Sequence, residues 1–150
     1  MESGVSIHSD SSEVQARLGK IILGLQNPQP LMRAIGYAMR SSTLKKFSEE
    51  RGPNGAWKPL AESTVARRRK GKRGGRSDKI LQDTSALKRS IHSVADMTSV
   101  DIGTPIHYGS YHQEGAPRAN ITARPYLYVD AADSARVTDL GLHYLQRLVQ

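Results

Sequence analysis

The sequence has no cysteine, few aromatic residues and no long hydrophobic run, and each of these absences excludes a class of protein or site. Without cysteine among its 150 residues, the chain has no disulfides, thiolate catalysis or cysteine-ligated zinc. No apolar run approaches the roughly 20 residues of a membrane span. Hydrophobic residues make up 37% of the chain, with one phenylalanine, one tryptophan and six tyrosines. This composition suits a soluble single domain over residues 1–150 whose core is completed by neighbouring subunits.

Signatures of catalysis and metal binding are missing as well. His107 and His112 are five residues apart, which would place them on different faces of a helix. The chain has no H-E-x-x-H, EF-hand, G-x-S-x-G or P-loop pattern, and its acidic residues are scattered singly. The sequence therefore predicts that the protein is not an enzyme and uses no metal and no cofactor.

Positive charge is concentrated in one segment. The chain carries 22 Lys+Arg against 14 Asp+Glu, and removing the basic residues of Ala66–Arg76 leaves 15 against 14. This basic segment contains Arg67, Arg68, Arg69, Lys70, Lys72, Arg73 and Arg76. A concentrated charge indicates an anionic partner, either a phosphate backbone or an acidic protein surface, although a merely solvated loop is a third interpretation. Because no aromatic residue interrupts the segment, any nucleic-acid binding would be independent of base sequence.

Helical periodicity dominates both ends of the chain. Apolar residues recur at helical spacing from Ser12 to Leu25 and again from about Pro30 to Glu50. The break at Asn27-Pro-Gln-Pro30 between these helices predicts an antiparallel helix pair over residues 12–50. A further helix is expected from Ala131 to Gln150. Residues 1–11 are polar and are predicted to be a flexible N-terminus without a signal peptide.

The middle of the chain predicts turns, short helices and strands. Ser63 or Thr64 is expected to cap a short helix, followed by a flexible basic loop over residues 66–79. A short helix is expected at 85–91, with Thr84 as its N-cap, and another is expected at 106–113. Alternating apolar residues predict strands at 91–95, 100–102 and 125–129. The predicted fold is α+β: a small antiparallel sheet within residues 80–150, with helices packed on one side.

An ordered series of residues resembles the phage virion morphogenesis family, the tail-completion or neck proteins of Mu-like tailed bacteriophages and prophages. The resemblance covers about residues 30 to 130. The series consists of Phe47, Gly55-x-Trp57-x-Pro59-Leu60, Thr64, Arg67, Ile80-Leu81-x-x-Thr84-x-x-Leu87-x-x-Ser90-Ile91, Ile102-Gly103-Thr104, Tyr108, His112-Gln113-x-Gly115 and Ala123-Arg124-Pro125-Tyr126-Leu127.

The resemblance implies a small structural α+β subunit that assembles as a ring where head meets tail and has no catalytic activity. A hexamer matching the tail tube is favoured, and a twelve-fold ring matching the head vertex is the alternative. Expected partners are copies of the chain, adjoining neck and tail proteins and, in the lumen, genomic DNA. No membrane partner is expected. The protein would be made in the host cytoplasm and end in the virion neck, as tail terminator or as head–tail connector. The rival hypothesis is a free-standing, sequence-nonspecific nucleic-acid-binding protein that uses the basic segment.

The matched residues outside the basic segment are expected to pack or to contact a neighbouring subunit. The interpretation for Arg124 is a cation that binds carboxylate or carbonyl oxygens with both arms of its fork. For the others, packing and interface roles both remain open, since aromatic and polar side chains serve either purpose. The matched residues with both roles open are Trp57, Leu60, Tyr108, His112, Gln113 and Tyr126.

Overall fold

The computed structural model describes residues 12–71 and 77–150, and it confirms an α+β architecture built from helices and two small antiparallel sheets. The expected flexible N-terminus, residues 1–11, and three of the cations, Lys72, Arg73 and Arg76, lie outside the described residues. In chain order the elements are α1 (Ser12–Gln26), α2 (Gln29–Glu49), β1 (Arg51–Gly52), β2 (Gly55–Ala56), α3 (Glu62–Arg69), α4 (Ala86–Ser90), β3 (His92–Ala95), β4 (Val100–Gly103), α5 (Tyr108–Glu114), a 3₁₀ turn (Pro117–Ala119) and α6 (Ala131–Val149).

Helix α2 forms the centre of the structure, with a sheet on one part of its surface and α6 on another. Strands β3 and β4 pair antiparallel in the predicted hairpin, from His92↔Gly103 to Ala95↔Val100. Gly36 lets α2 approach this sheet, because a Cβ there would lie 3.2 Å from Val100 Cγ1. The sheet thus lies close to the backbone of α2 at Gly36.

The hydrophobic core lies beside the C-terminal end of α2. Phe47 is fully buried, with its ring centroid 5.7 Å from that of Trp57 and 5.0 Å from that of Tyr126. Ile80, Leu87 and Ile91 complete the buried cluster. The turn-rich connection after α2 is therefore anchored on the core through Trp57, with Leu60 packed at the edge of the cluster.

The first two helices are present but do not form the predicted antiparallel pair. Lys46 near the end of α2 meets Asp133 at the start of α6, whereas Gly24 and Asn27 meet Tyr144 near the end of α6. Both α1 and α2 therefore run antiparallel to α6. Only Asn27 and Pro28 separate the two helices, and the Pro28 carbonyl accepts a hydrogen bond from Met32 N at 3.1 Å, so the chain keeps its direction instead of reversing.

Helix α1 consequently extends beyond the end of α6. Its contacts with α6 lie near its C-terminal end, where Gly24 touches Leu148 and accepts a 2.7 Å hydrogen bond from Tyr144 Oη. No residue of α1 is buried. The apolar stripe that periodicity predicted is present, but it faces solvent instead of α2. Its exposed members are Val14, Leu18, Ile22 and Leu25.

The strand predicted at 125–129 is also wrong, although Tyr126 is buried in the core and Leu127 packs against it. No residue in the described part of the chain pairs with it as a strand. Side chains satisfy its backbone instead. Gln113 Oε1 accepts from the amides of Tyr126 and Leu127, both at 3.0 Å, while Gln113 Nε2 donates to Leu127 O at 2.9 Å. One glutamine thus supplies the hydrogen bonds that an adjacent strand would make.

Candidate functional site: a basic cleft and its surroundings

A cleft of about 920 Å³ brings together six of the residues that the sequence singled out. Its walls come from α3, from the segment at 81–87, from α5 and from residues 120–124. We call it the basic cleft. The predicted residues that line it are Leu60, Arg67, Arg68, Tyr108, His112 and Arg124. The structure therefore places the cationic start of the basic segment next to residues more than 40 positions later in the chain.

The first part of the basic segment is helical, which corrects the prediction of a loop from residue 66 onward. Helix α3 runs to Arg69 and begins after Ala61 without a side-chain cap, so the expected caps at Ser63 and Thr64 are also wrong. Glu62 in the first turn and arginines in the last turn complement the helix dipole, which favours helix over loop here. The helix fixes the direction in which each arginine points.

Arg68 is the most firmly held of these arginines. Its Nη1 donates to Ser77 O at 2.7 Å and to Lys79 O at 2.9 Å, and its Nε lies 3.6 Å from Asp83 Oδ1. Arg69 points elsewhere and contacts Asp78 at 3.1 Å on the exposed surface. Of the four basic residues at 67–70, the two that line the basic cleft are Arg67 and Arg68.

Arg124 confirms the predicted fork contact with carbonyl oxygens. Its Nε donates to Lys58 O at 2.9 Å and its Nη2 donates to Pro59 O at 3.0 Å. These bonds tie the strand-like segment at 125–129 to the connection that leads into α3. Arg124 therefore holds the two walls of the basic cleft together and brings a positive charge into it.

Burial and neighbouring cations lower the pKa values of two residues that line the basic cleft. Burial, followed by the charge of Arg68, lowers the pKa of Arg124. Burial, followed by the charge of Arg124, lowers the pKa of His112. His112 Nδ1 is buried and has no hydrogen-bond partner in residues 12–71 and 77–150. The basic cleft thus brings positive groups close enough to lower one another's pKa values, although Glu62 and Asp83 also line it.

His112 should make the protein less stable as the pH falls from 7 to 5. Its pKa is lowered in the folded state, so the unfolded chain, with a histidine pKa of about 6.5, takes up the proton first. Its contribution to stability is present above that value and is lost as the pH falls below it. Urea unfolding at pH 7 and pH 5 should show a smaller pH effect for His112→Asn than for the parent chain. Exposed His143 provides the control, and a His143→Asn variant that removed the effect equally would contradict this assignment.

Three predicted contact residues lie in the body of the domain. Trp57 and Tyr126 are buried in the core, and the Trp57 indole donates to Pro125 O at 2.9 Å. Gln113 bonds to Tyr126 and Leu127 within its own chain. The structure thus shows core packing for Trp57 and Tyr126 and intrachain hydrogen bonds for Gln113. Tyr108 and Leu60 remain at the margin of the basic cleft.

Sequence reasoning missed the buried ion pair between Lys46 and Asp133. Lys46 Nζ lies 2.6 Å from Asp133 Oδ2 and 2.5 Å from Tyr128 O, and both side chains are about 5% exposed. Asp133 also forms a capping box with Asp130 at the start of α6. An Asp-x-x-Asp pattern before an apolar helix could have signalled the cap, but nothing local pointed to the lysine 87 residues earlier.

Comparison with protein families identifies the family to which this chain belongs. The model of the phage virion morphogenesis family matches residues 9–146, which is nearly the whole chain. The chain belongs to the phage virion morphogenesis family. No curated protein and no solved structure matches it.

Membership of this phage virion morphogenesis family gives the chain a structural role in building a bacteriophage particle. Within residues 12–71 and 77–150, no group of three or more histidine, aspartate or glutamate side chains is arranged to hold a metal ion. In the same ranges, every helix is too short or too polar to cross a bilayer.

Proposed function

We propose that this family member is a ring-forming subunit of the virion neck that completes the tail and joins it to the head. The observation that carries the proposal is helix α1, which extends past the end of α6 with its apolar stripe exposed. The basic cleft supports an anionic contact with a neighbouring component. Six copies, matching the symmetry of a tail tube, are favoured over twelve.

An extended helix of this kind is not expected to be stable by itself. Isolated helices shorter than about 12–15 residues are marginal in water, and α1, with 15 residues and none buried, lies at this limit. Leu18 and Ile22 are 52% and 54% exposed, and Val14 and Leu25 are each 56% exposed. Contiguous apolar surface of this kind marks an interaction site. Its burial in an assembly would supply the stabilisation that the single chain lacks.

The shape of the subunit favours a ring over a symmetric dimer. Helix α1 leaves the domain at one end, while the apolar and basic depressions lie on the body. A contact between the α1 of one copy and the body of the next joins two different surfaces. Such a heterologous contact closes into a ring when the rotation between copies divides a full turn. Deposition of this ring at the junction of head and tail would complete the particle without any covalent chemistry.

The basic cleft fits the same role. Two α3 arginines, Arg67 and Arg68, and the nearby Arg124 present positive charge on each subunit. Repeated around a ring, these charges would steer an acidic surface of an adjoining virion protein into register. DNA in the lumen remains the other anion of matching charge. If DNA is the partner, isolated subunits should bind DNA of any sequence, and this binding should weaken steeply as the salt concentration rises.

Substitution of the apolar stripe should prevent ring formation while leaving the subunit folded. In Leu18→Asp, a charge replaces an exposed apolar side chain, so the free subunit loses little, whereas an interface that buries Leu18 is weakened at least tenfold. Native mass spectrometry over a concentration series, with electron microscopy of the largest species, measures this effect. Ala16→Asp is the matched control because it puts the same charge on the other side of α1. A parent chain that stays monomeric at every concentration, or a Leu18→Asp chain that assembles as well as Ala16→Asp, would refute the proposed ring.

A further inference from the structure

A second depression lies along the outer edge of the β3–β4 hairpin. It has a volume of about 390 Å³ and lies between β4, the extended segment at 127–129, α2 and α6. We call it the edge groove. Most of its lining residues are apolar, among them Ile35, Met39, Val100, Ile102, Leu127 and Val129. It shares no lining residue with the basic cleft.

The strand register shows that the backbone of β4 is unpaired on the side of the edge groove. Asp96 N donates to Ser99 O at 2.9 Å, which makes this the first hydrogen-bonded pair of the hairpin. Because hydrogen-bonded and non-bonded pairs alternate, Val100 and Ile102 occupy the non-bonded positions and direct their N–H and C=O groups away from β3. Within the described ranges, no third strand joins this sheet. An open edge of this kind is a template for another strand.

The opposite wall of the edge groove is formed by the segment at 127–129. Tyr128 lines the groove, and its hydroxyl is buried without a hydrogen-bond partner in the parts of the chain that the structure describes. Val129, beside it, is 68% exposed. The groove therefore combines an unpaired strand edge with an apolar floor. This combination fits an extended peptide with apolar residues at alternate positions.

The geometry points to one occupant: we infer that residues 4–8 of a neighbouring copy add a strand to β4 in the edge groove. This stretch reads Gly-Val-Ser-Ile-His. In a strand, Val5 and Ile7 would share the face turned to the apolar floor, while Ser6 and His8 would face outward. The inference rests on the proposed assembly of copies, and it names the surface through which one copy would hold the next.

The chain's own N-terminus is too short to fill its own edge groove. The groove lies at the start of α6, at Asp133 and Val137, whereas α1 meets α6 at Leu148. Along α6 from Val137 to Leu148 the separation is about 16 Å, and α1 extends a further 18 Å or so from Gly24 to Ser12. The four residue steps from His8 to Ser12 span at most about 14 Å. The occupant must therefore come from another copy, towards which the exposed α1 extends.

A peptide of residues 1–11 tests this inference on the full-length chain. The receptor is the full chain carrying Val5→Asp and Ile7→Asp, which disables its own N-terminal segment and leaves every residue of the edge groove intact. A fluorescently labelled 1–11 peptide should bind this receptor, and hydrogen exchange should show slower exchange at the amides of Val100 and Ile102. The peptide carrying Val5→Asp and Ile7→Asp should bind at least tenfold more weakly. The Ser6→Asp peptide, altered on the outward face, should bind within about twofold of the parent peptide.

Each outcome separates this inference from the proposed ring. Failure of the peptide to bind, equal binding by the three peptides, or protection of other amides would overturn the edge-groove inference, even if the parent chain forms rings. Peptide binding together with a parent chain that never assembles would support the groove and refute the ring. Protection of Val100 and Ile102 in the parent chain that does not change on dilution to the monomer would identify the chain's own segment as occupant and overturn the inference.

Discussion

Replacement of Lys46 by methionine should lower the free energy of unfolding by about 3–5 kcal/mol, the typical cost of removing one partner from a buried ion pair. The variant leaves the Asp133 carboxylate buried without its 2.6 Å partner and also removes the donor to Tyr128 O. Methionine keeps the length of the side chain, so the loss reports on charge and hydrogen bonding rather than on volume. Urea unfolding followed by circular dichroism at pH 7 measures it.

The adjacent lysine provides the control. Lys45 forms an exposed pair with Glu49 at 3.6 Å, and its side chain is 74% exposed. Lys45→Met should therefore change the free energy of unfolding by less than about 0.5 kcal/mol. If the two variants lost equal stability, the buried pair would not be the source of the effect.

The Lys46 effect should shrink in acid. Burial by itself raises the pKa of Asp133, but hydrogen bonds from Lys46, Ser42 and the Asp130 backbone, together with the charge of Lys46, outweigh it and lower the pKa. A carboxyl group with a lowered pKa stabilises the fold above its unfolded value of about 3.9 and loses that contribution as the pH falls through the folded value. Without Lys46, only the hydrogen bonds from Ser42 and Asp130 still oppose the effect of burial, so the carboxyl group protonates more readily than in the parent chain. The parent chain and Lys46→Met should therefore converge in stability below about pH 4.

Replacement of Gln113 by alanine should cost about 2–4 kcal/mol, because its amide group makes three hydrogen bonds to partly buried backbone groups of Tyr126 and Leu127. The effect should also be local. Amide exchange at Tyr126 and Leu127 should accelerate more than in the β3–β4 hairpin, since that sheet does not depend on the glutamine.

Glu114→Ala is the matched control for Gln113→Ala. Glu114 is the next residue of α5 and is exposed, so its replacement should change stability by less than about 0.5 kcal/mol. Uniform acceleration of exchange throughout the domain in Gln113→Ala, or an equal loss in Glu114→Ala, would show that the glutamine does not act as a substitute strand.

The elements that the sequence predicted well are those determined locally. The stripes of α1, α2 and α6 follow from spacing of three and four residues, and the β3–β4 hairpin follows from alternation around a short turn. The failures concern partners distant in sequence. Alternation at 125–129 led to the prediction of a strand, because it could not show that Gln113 would take the place of a neighbouring strand.

The same limit applies to the candidate site. Composition located the cations at 67–70, and the family resemblance singled out Arg124, but only the folded chain shows Arg67, Arg68 and Arg124 around one cleft. The helix pair failed because the partner of α1 is α6, more than 100 residues later. Local sequence patterns show which face of a helix is apolar, but contacts with residues distant in the sequence determine what packs against that face.

The single tryptophan gives this protein a built-in optical reporter. Trp57 lies edge-on to Phe47 inside the core and far in the chain from α1 and β4, so its emission depends on the integrity of the domain interior. Loss of that interior would shift the emission to the red, whereas the joining of copies through their outer surfaces would leave it unchanged. Tryptophan emission in an unlabelled sample thus reports unfolding without interference from assembly.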